Sequence, residues 1–233
     1  MALPKIDLPI LTTTLPSTNK KVSYRPFTVK EEKILLMAAT GEGDEIDSAT
    51  QIINNCVLED DFDIRKLPFF DFEYIFLMIR AKSVGEEVKL KYQHNENDCN
   101  GVTEVSVDLN SVKLDKPSQD GKINLSDNFG IKLRYPSITE VAEYENKNLT
   151  HVFDLVQNLV EYVYDSEKIY QKDEDFDNEE LKQWIESLTK EQSDKLLDFV
   201  KTMPRVSHRF SFKCKSCKEK VDINLKGLKD FFL

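Results

Sequence analysis

"FKCKSCKEKV", residues 212–221, holds two cysteines separated by two residues. At that spacing Cys214 and Cys217 can grip one face of a metal ion, but a structural zinc needs four ligands. The chain has only four cysteines and three histidines, so the search for the other two is short. His94 and Cys99 stand together in "YQHNENDCNG", residues 92–101. The runs on either side, "EEVKLKYQH" and "GVTEVSVDL", alternate apolar and polar residues with the period of a strand, which puts this pair at the tip of a hairpin. "HRFSFKCKSCKEKVDINL" alternates in the same way around Cys214 and Cys217. Two such turns facing each other make a zinc ribbon, with His94, Cys99, Cys214 and Cys217 as the ligand set. Thiolate and imidazole both bind zinc, and tetrahedral geometry costs it nothing. Four protein ligands leave no position for water or substrate, so the expected cofactor is a structural zinc.

Other readings of these residues are weaker. A redox CxxC opens a helix after a strand, whereas Cys217 leads into "KVDINL". His208 is a rival fourth ligand but reads as an exposed polar residue at the start of its strand. His151 gets no role. Cys56, late in a predicted helix, reads as a small buried hydrophobe.

Working outward, the first turns of helices announce themselves. Thr28/Glu31, Ser137/Glu140, Asp177/Glu180 and Thr189/Gln192 each have the spacing of a capping box ahead of an apolar stretch. Helices are expected over about 28–40, 45–57, 69–83, 138–165, 177–187 and 189–202. "FFDFEYIFLMIRAKSVG" is apolar nearly all round and reads as the central core helix, started near Pro68 and ended by Gly85. "KINLSDNFGIKLRYP" gives two more short strands around a turn. The expected fold is α+β: a helical body with an inserted β region and a zinc-ribbon-like module made of two hairpins distant in sequence. The organisation reads as an extended N-terminal arm (1–24), a helical region (25–85), a β region with the first zinc hairpin (86–136), a second helical region (137–204), and the second zinc hairpin with a C-terminal tail (205–233). In the arm Ile6, Leu8 and Ile10 alternate, as in a segment laid on a partner or a strand packed on its own domain. In the tail Phe231 and Phe232 are candidate anchors for a partner, the alternative being that they close this protein's own core.

Composition narrows the function. Hydrophobic residues make up 40% and charged residues 32% of 233, which suits a globular chain. A net charge of -10 argues against a general nucleic-acid binder, which must neutralise many phosphates. No apolar run is long enough to cross a bilayer, and "MALPKIDLPI" lacks the basic and apolar regions of a signal peptide. A soluble intracellular protein is expected. "GEGD" at 41–44 lacks a third glycine and a Walker lysine and reads as a loop. Asp173, Asp175 and Asp177 have calcium-loop spacing, but Asn178 stands where the turn glycine belongs and Trp184 where the bidentate glutamate belongs, so the run reads as a solvated linker. No nucleophile has a recognisable partner, and no catalytic residues are expected.

The order of motifs is itself distinctive: "LPSTNKKVSYRPFTVKEEKILLMA", then "KYQHNENDC", "INLSDNFGIKLRYPS", "IESLTKEQSDKLLDFVKTMPRV" and "FSFKCKSCKEKVDINLKGLKDFF". This resembles the T-even-like phage baseplate hub assembly family of contractile-tailed phages, from about residue 15 to the final "DFFL". The resemblance implies a non-enzymatic protein that builds or forms part of the central hub of the tail baseplate. Its partners would be other hub or tail proteins, and its location the host cytoplasm during assembly or the virion baseplate. Family members usually carry Cys where this chain has His94, an exchange zinc accepts that makes the site one charge less negative. The other class that stays open is a zinc-ribbon adaptor on a nucleic-acid machine, for which Arg205, Arg209, Lys213, Lys215, Lys218 and Lys220 would supply a basic surface.

Overall fold

The computed structural model describes residues 4, 6–41, 44–96, 99–115, 120–145 and 152–232. They fall into two compact units, one made of residues 1–66, 70–115 and 205–233, the other of 67–69 and 116–204.

The first unit begins with an antiparallel hairpin, β1 (Leu11–Thr14) and β2 (Lys21–Tyr24). Its turn is closed by the Leu15 amide donating to the Lys20 carbonyl at 2.9 Å. Leu15, Val22 and Tyr24 are buried, so from residue 11 the arm is a strand pair packed on its own unit. Ile6 and Ile10 remain exposed. Two helices follow, α1 (Val29–Ala39) and α2 (Glu45–Cys56). At the start of α1 the Thr28/Glu31 box is complete: Thr28 accepts from the first turn and the Glu31 carboxylate accepts from the Thr28 amide at 2.8 Å. Glu31 also accepts from Arg25 Nη2 at 3.0 Å and is 2% exposed. Cys56 is buried at the end of α2, and burial pushes its thiol up to about 11.

The 16-residue α3 (Phe69–Val84) is the axis of this unit. Ile75, Leu77 and Ile79 are fully buried, as an all-round apolar sequence requires. It also carries two fully buried carboxylates. Asp71 is held by the amide and hydroxyl of Ser17, which fastens the N-terminal hairpin to the helix. Burial pushes Asp71 up against those hydrogen bonds, and Glu73 up against its own from Arg205 and the Val206 amide. Two strands then form a separate hairpin, β3 (Glu87–His94) and β4 (Gly101–Asp108), and β5 (Lys113–Leu114) follows.

The second unit is organised by one four-stranded antiparallel sheet in the order β6 (Lys122–Asn124), β7 (Phe129–Leu133), β8 (Val160–Asp165) and β9 (Ile169–Gln171). Around it lie α4 (Ile138–Glu145), α5 (Val152–Leu159), α6 (Asn178–Glu186) and α7 (Lys190–Lys201). Ile131, Leu133, Val156, Leu159, Leu196 and Phe199 centre a single apolar cluster. The boxes at Ser137/Glu140, Asp177/Glu180 and Thr189/Gln192 are all made.

The expected helix over 138–165 is corrected here. Its described parts are two eight-residue helices, and "VEYVYD", 160–165, is strand β8. Val160, Tyr162, Val163 and Tyr164 are β-branched or aromatic, and pairing to β7 on one side and β9 on the other outweighs the helical period carried over from α5. The stretch read as helical, 137–204, therefore holds two strands.

The remaining residues of the first unit are β10 (Val206–Lys213), β11 (Lys220–Lys226) and the short α8 (Lys229–Phe232). β10 pairs with β11 from Ser207↔Lys226 to Lys213↔Lys220 and with β5 on its other edge. Glu73 takes Arg205 at 2.9 and 2.6 Å and the Val206 amide at 3.1 Å. Gly227, at φ 77°, passes so close that a Cβ would strike Arg205 Nη2 and come within 3.0 Å of Glu73 Oε1. Phe231 is 0% exposed, in a cluster with Leu77, Val107, Leu109 and Val206. It closes this unit's own core, the second of the two readings its sequence allowed, and the side chain of Phe232 lies outside the described residues. Among the described residues no helix is long and apolar enough to cross a membrane.

Candidate metal centre

Strand alternation aims the first pair of side chains. In β3, Val88, Leu90 and Tyr92 are half-buried on one face, and His94, next in that series, is buried. Tyr92 packs against Phe210 and Phe212 of β10, with ring centroids 6.2 and 5.8 Å away. The two hairpins therefore meet face to face through aromatic rings before any metal is considered. Beyond His94 the chain turns, and the Cys99 amide donates to the Glu96 carbonyl at 3.0 Å.

The second pair sits on a tight knuckle. The Cys214 amide donates to the Glu219 carbonyl at 2.9 Å and the Lys218 amide to the Cys214 carbonyl at 3.0 Å. Lys218 takes the left-handed conformation the reversal demands, φ 66°. This turn points the backbone amides of Cys217 and Ser216 at the Cys214 sulfur. Those two amides, joined by the Cys217 and Cys99 thiols, hold Cys214 down to about 6. Cys217 receives the Glu219 amide, but the neighbouring Cys99 and Cys214 thiols push it up to about 11. Hydrogen bonds with the Cys99 and Cys214 thiols raise His94 above the ordinary imidazole value.

The structure brings His94, Cys99, Cys214 and Cys217 together, one ligand atom from each, all within 4.8 Å of one another. Cys99 Sγ lies 3.7 Å from Cys214 Sγ, and Cys217 Sγ 3.3 Å from His94 Nδ1. Four atoms around a tetrahedral ion at the zinc–sulfur distance of about 2.3 Å are spaced roughly 3.8 Å apart, and a sulfur and a nitrogen somewhat less. The two close pairs match that spacing. A sulfur separation of 3.7 Å is far beyond the disulfide length of about 2.05 Å, and all four cysteines are free. Cys214 and His94 are buried, Cys99 is half-buried and Cys217 exposed. The residues present thus fit a metal ion.

Sequence reasoning missed the supports. Gly101, opposite His94 in the ladder, lets β4 run against the knuckle: a Cβ there would stand 2.7 Å from Ser216 Cβ and 3.1 Å from Cys214 Sγ. Thr103, 4% exposed, accepts the Lys215 amide at 3.0 Å and so ties one hairpin to the other. The carboxylates of Glu96 and Glu219 lie 3.8 and 4.0 Å from His94 Nε2, the nitrogen turned away from Cys217. A carboxylate behind a ligating imidazole fixes its tautomer in many metal sites. The only signal for Gly101 was its place just after the ligand turn. For Thr103 there was none.

The remaining candidates lie elsewhere. His208 is half-buried in β10, 3.3 Å from Ser111 Oγ and stacked on Phe210, outside the cluster. His151 falls outside the described residues. Asp173, Asp175 and Asp177 do not converge. Asp173 takes a left-handed turn conformation, Asp175 binds Lys168 and the Gln171 amide, and Asp177 caps α6.

Fold and cluster together define a class: a mixed helix-and-sheet protein with small sheets and a Cys/His set that could hold a metal ion. A family model described as T4 bacteriophage base plate protein matches residues 8–233. The chain belongs to that family and is a baseplate protein of the T4-like phages. No curated protein and no solved structure matches it.

Proposed function

We propose that this chain is a non-enzymatic tail protein that builds, or forms part of, the central hub of the baseplate through contacts with other hub and tail proteins. One structural zinc, held by His94, Cys99, Cys214 and Cys217, stabilises it in a ribbon of two hairpins. The observation that carries this reading is the convergence of the four ligand atoms within 4.8 Å in a chain that matches a baseplate family from residue 8 to 233. Bound zinc would hold the thiolates and fix the two turns. The chain's own residues supply four ligands, so recognition is left to the surfaces the fold presents. The protein would work in the host cytoplasm during assembly and in the tail baseplate afterwards.

The nucleic-acid adaptor has less support. Of its basic residues, Arg205 is committed to Glu73, Lys220 to Asp222 at 2.8 Å, and Lys218 to the Lys215 carbonyl.

Two measurements test the proposal. Elemental analysis of protein purified without chelator is expected to give close to one zinc per chain, and protein without metal overturns the ribbon. A nonsense mutation in the gene is expected to leave filled heads without tails in electron micrographs of the lysate. Complete contractile tails refute the hub role, and failed late gene expression points to the adaptor.

A further inference from the structure

The second unit carries a cavity of about 340 Å³ walled by the rings of Phe129, Tyr164, Tyr170, Phe176 and Trp184. Phe129 and Trp184 meet edge to face, 5.9 Å between centroids. Three carboxylates, Asp165, Asp175 and Glu180, stand among these rings. Aromatic faces are negative at their centres, and carboxylates add full charge, so such walls favour a cation with a flat or apolar body. Two lysines of this chain already respond to that field. Lys168 Nζ sits 4.2 Å from the Tyr170 centroid and 3.1 Å from Asp175, and Lys122 Nζ 4.6 Å from the Tyr164 centroid. Neither of them lines the cavity.

The carboxylates are fixed in place and keep acceptor capacity. Asp165 receives the Tyr170 hydroxyl at 2.7 Å and the Glu167 and Lys168 amides at 2.7 and 2.9 Å, Asp175 the Gln171 amide at 2.8 Å and Lys168 Nζ at 3.1 Å, and Glu180 the Asp177 amide at 3.0 Å. An ionised carboxylate offers about four acceptor positions, so each has some left for an incoming donor. The Tyr170 hydroxyl holds Asp165, and the Gln171 amide Asp175, below the usual carboxylate range, so both stay charged at neutral pH.

We propose that this cavity is a docking site for an arginine side chain on a basic segment of a partner protein. Arginine fits better than lysine because its planar guanidinium stacks on a ring while its fork engages carboxylate oxygens. The acidic run 165–180, which the metal centre leaves without a role, would supply attraction along the rest of the segment. The inference rests on the reading that the protein acts through protein contacts. Its test is independent of infection, so a failed pocket and a failed hub role are distinguishable.

Trp184 is the chain's one tryptophan, so its emission reports on the cavity. The full chain is titrated with the peptide acetyl-Ser-Gly-Arg-Gly-Arg-Gly-Ser-amide and with the same peptide carrying citrulline, a neutral isostere of arginine. The arginine peptide is expected to give a saturable change in emission and the citrulline peptide none. Lys168→Ala removes the resident cation from Tyr170 and Asp175 and is expected to tighten binding about threefold, while Asp175→Asn weakens it by at least as much. Tightening cannot come from misfolding, so Lys168→Ala guards against a variant that merely loses structure. Glu191→Gln, a charge change on α7, is expected to have no effect. An equal response to both peptides, or equal affinities for all three variants and the parent, overturns the proposal.

Discussion

The two units hold themselves together by different means. The second has one four-stranded sheet and one continuous apolar cluster. The first has two pairs of strands and one three-stranded sheet, and a lone hairpin is marginal in water. Polar pins that bridge long stretches of chain supply what its small sheets lack: Ser17 to Asp71, Arg205 to Glu73, Lys215 to Thr103, and the Cys/His cluster. A unit assembled from three separate segments of sequence needs such fixed points, because burial of apolar surface alone does not specify which strand faces which.

Metal removal is the harshest test of this contrast. Site formation in small zinc modules contributes on the order of 10 kcal/mol of folding free energy. Chelation, or Cys214→Ser, is expected to unfold the first unit at low temperature while the helical signal of the second survives. A single cooperative loss of both would break the contrast.

Next in size is the buried ion pair. Arg205→Ala strips the partner from a fully buried carboxylate and is expected to cost about 3–5 kcal/mol by urea denaturation. Glu73→Gln/Arg205→Met should recover most of that, since the double change leaves no unpaired charge.

The acid limb comes third. Burial alone would raise Glu31, but hydrogen bonds from Arg25 and Thr28 outweigh it and hold it down to about 2. Its ordinary value is 4.5, so the native state favours the ionised form. The stabilisation is complete above about pH 4.5 and disappears as pH falls towards 2, up to roughly 3 kcal/mol. Glu31→Gln is expected to flatten the stability profile in that window and leave the slope above pH 5 unchanged.

The smallest effect belongs to Thr103→Val, which leaves the Lys215 amide without its acceptor for about 1–3 kcal/mol. It should also raise the rate of zinc transfer to a chelator at constant metal stoichiometry. An unchanged transfer rate would show that this hydrogen bond adds nothing to the aromatic packing that already joins the hairpins.

Much of this was legible before any coordinates. Capping boxes are local, so Thr28, Ser137, Asp177 and Thr189 announced four helix starts, and each is made. The Cys/His set was legible because those residues are scarce and each pair lies between alternating runs. Strand β8 was hidden because no glycine or proline separates it from the helical pattern of Val152, Leu155, Val156 and Leu159. Its identity depends on partners in β7 and β9, a long-range fact that a period does not carry. Phe231 was undecidable for a similar reason: an aromatic residue near the chain terminus looks the same whether it fills its own core or another's.

The separation of the two ligand pairs also sets a clock. Cys99 and Cys214 lie 115 residues apart, and at roughly 5–20 residues per second of synthesis about 6–23 s pass between them. The whole of residues 116–204 leaves the ribosome in that interval, so the second unit can fold while His94 and Cys99 still lack their partners. A copy whose synthesis stops early never closes the cluster, whatever else it has folded. Completion of the cluster is thus a record that translation reached Cys217, and on the proposed role a growing tail that accepts only the closed form would take up no truncated copies.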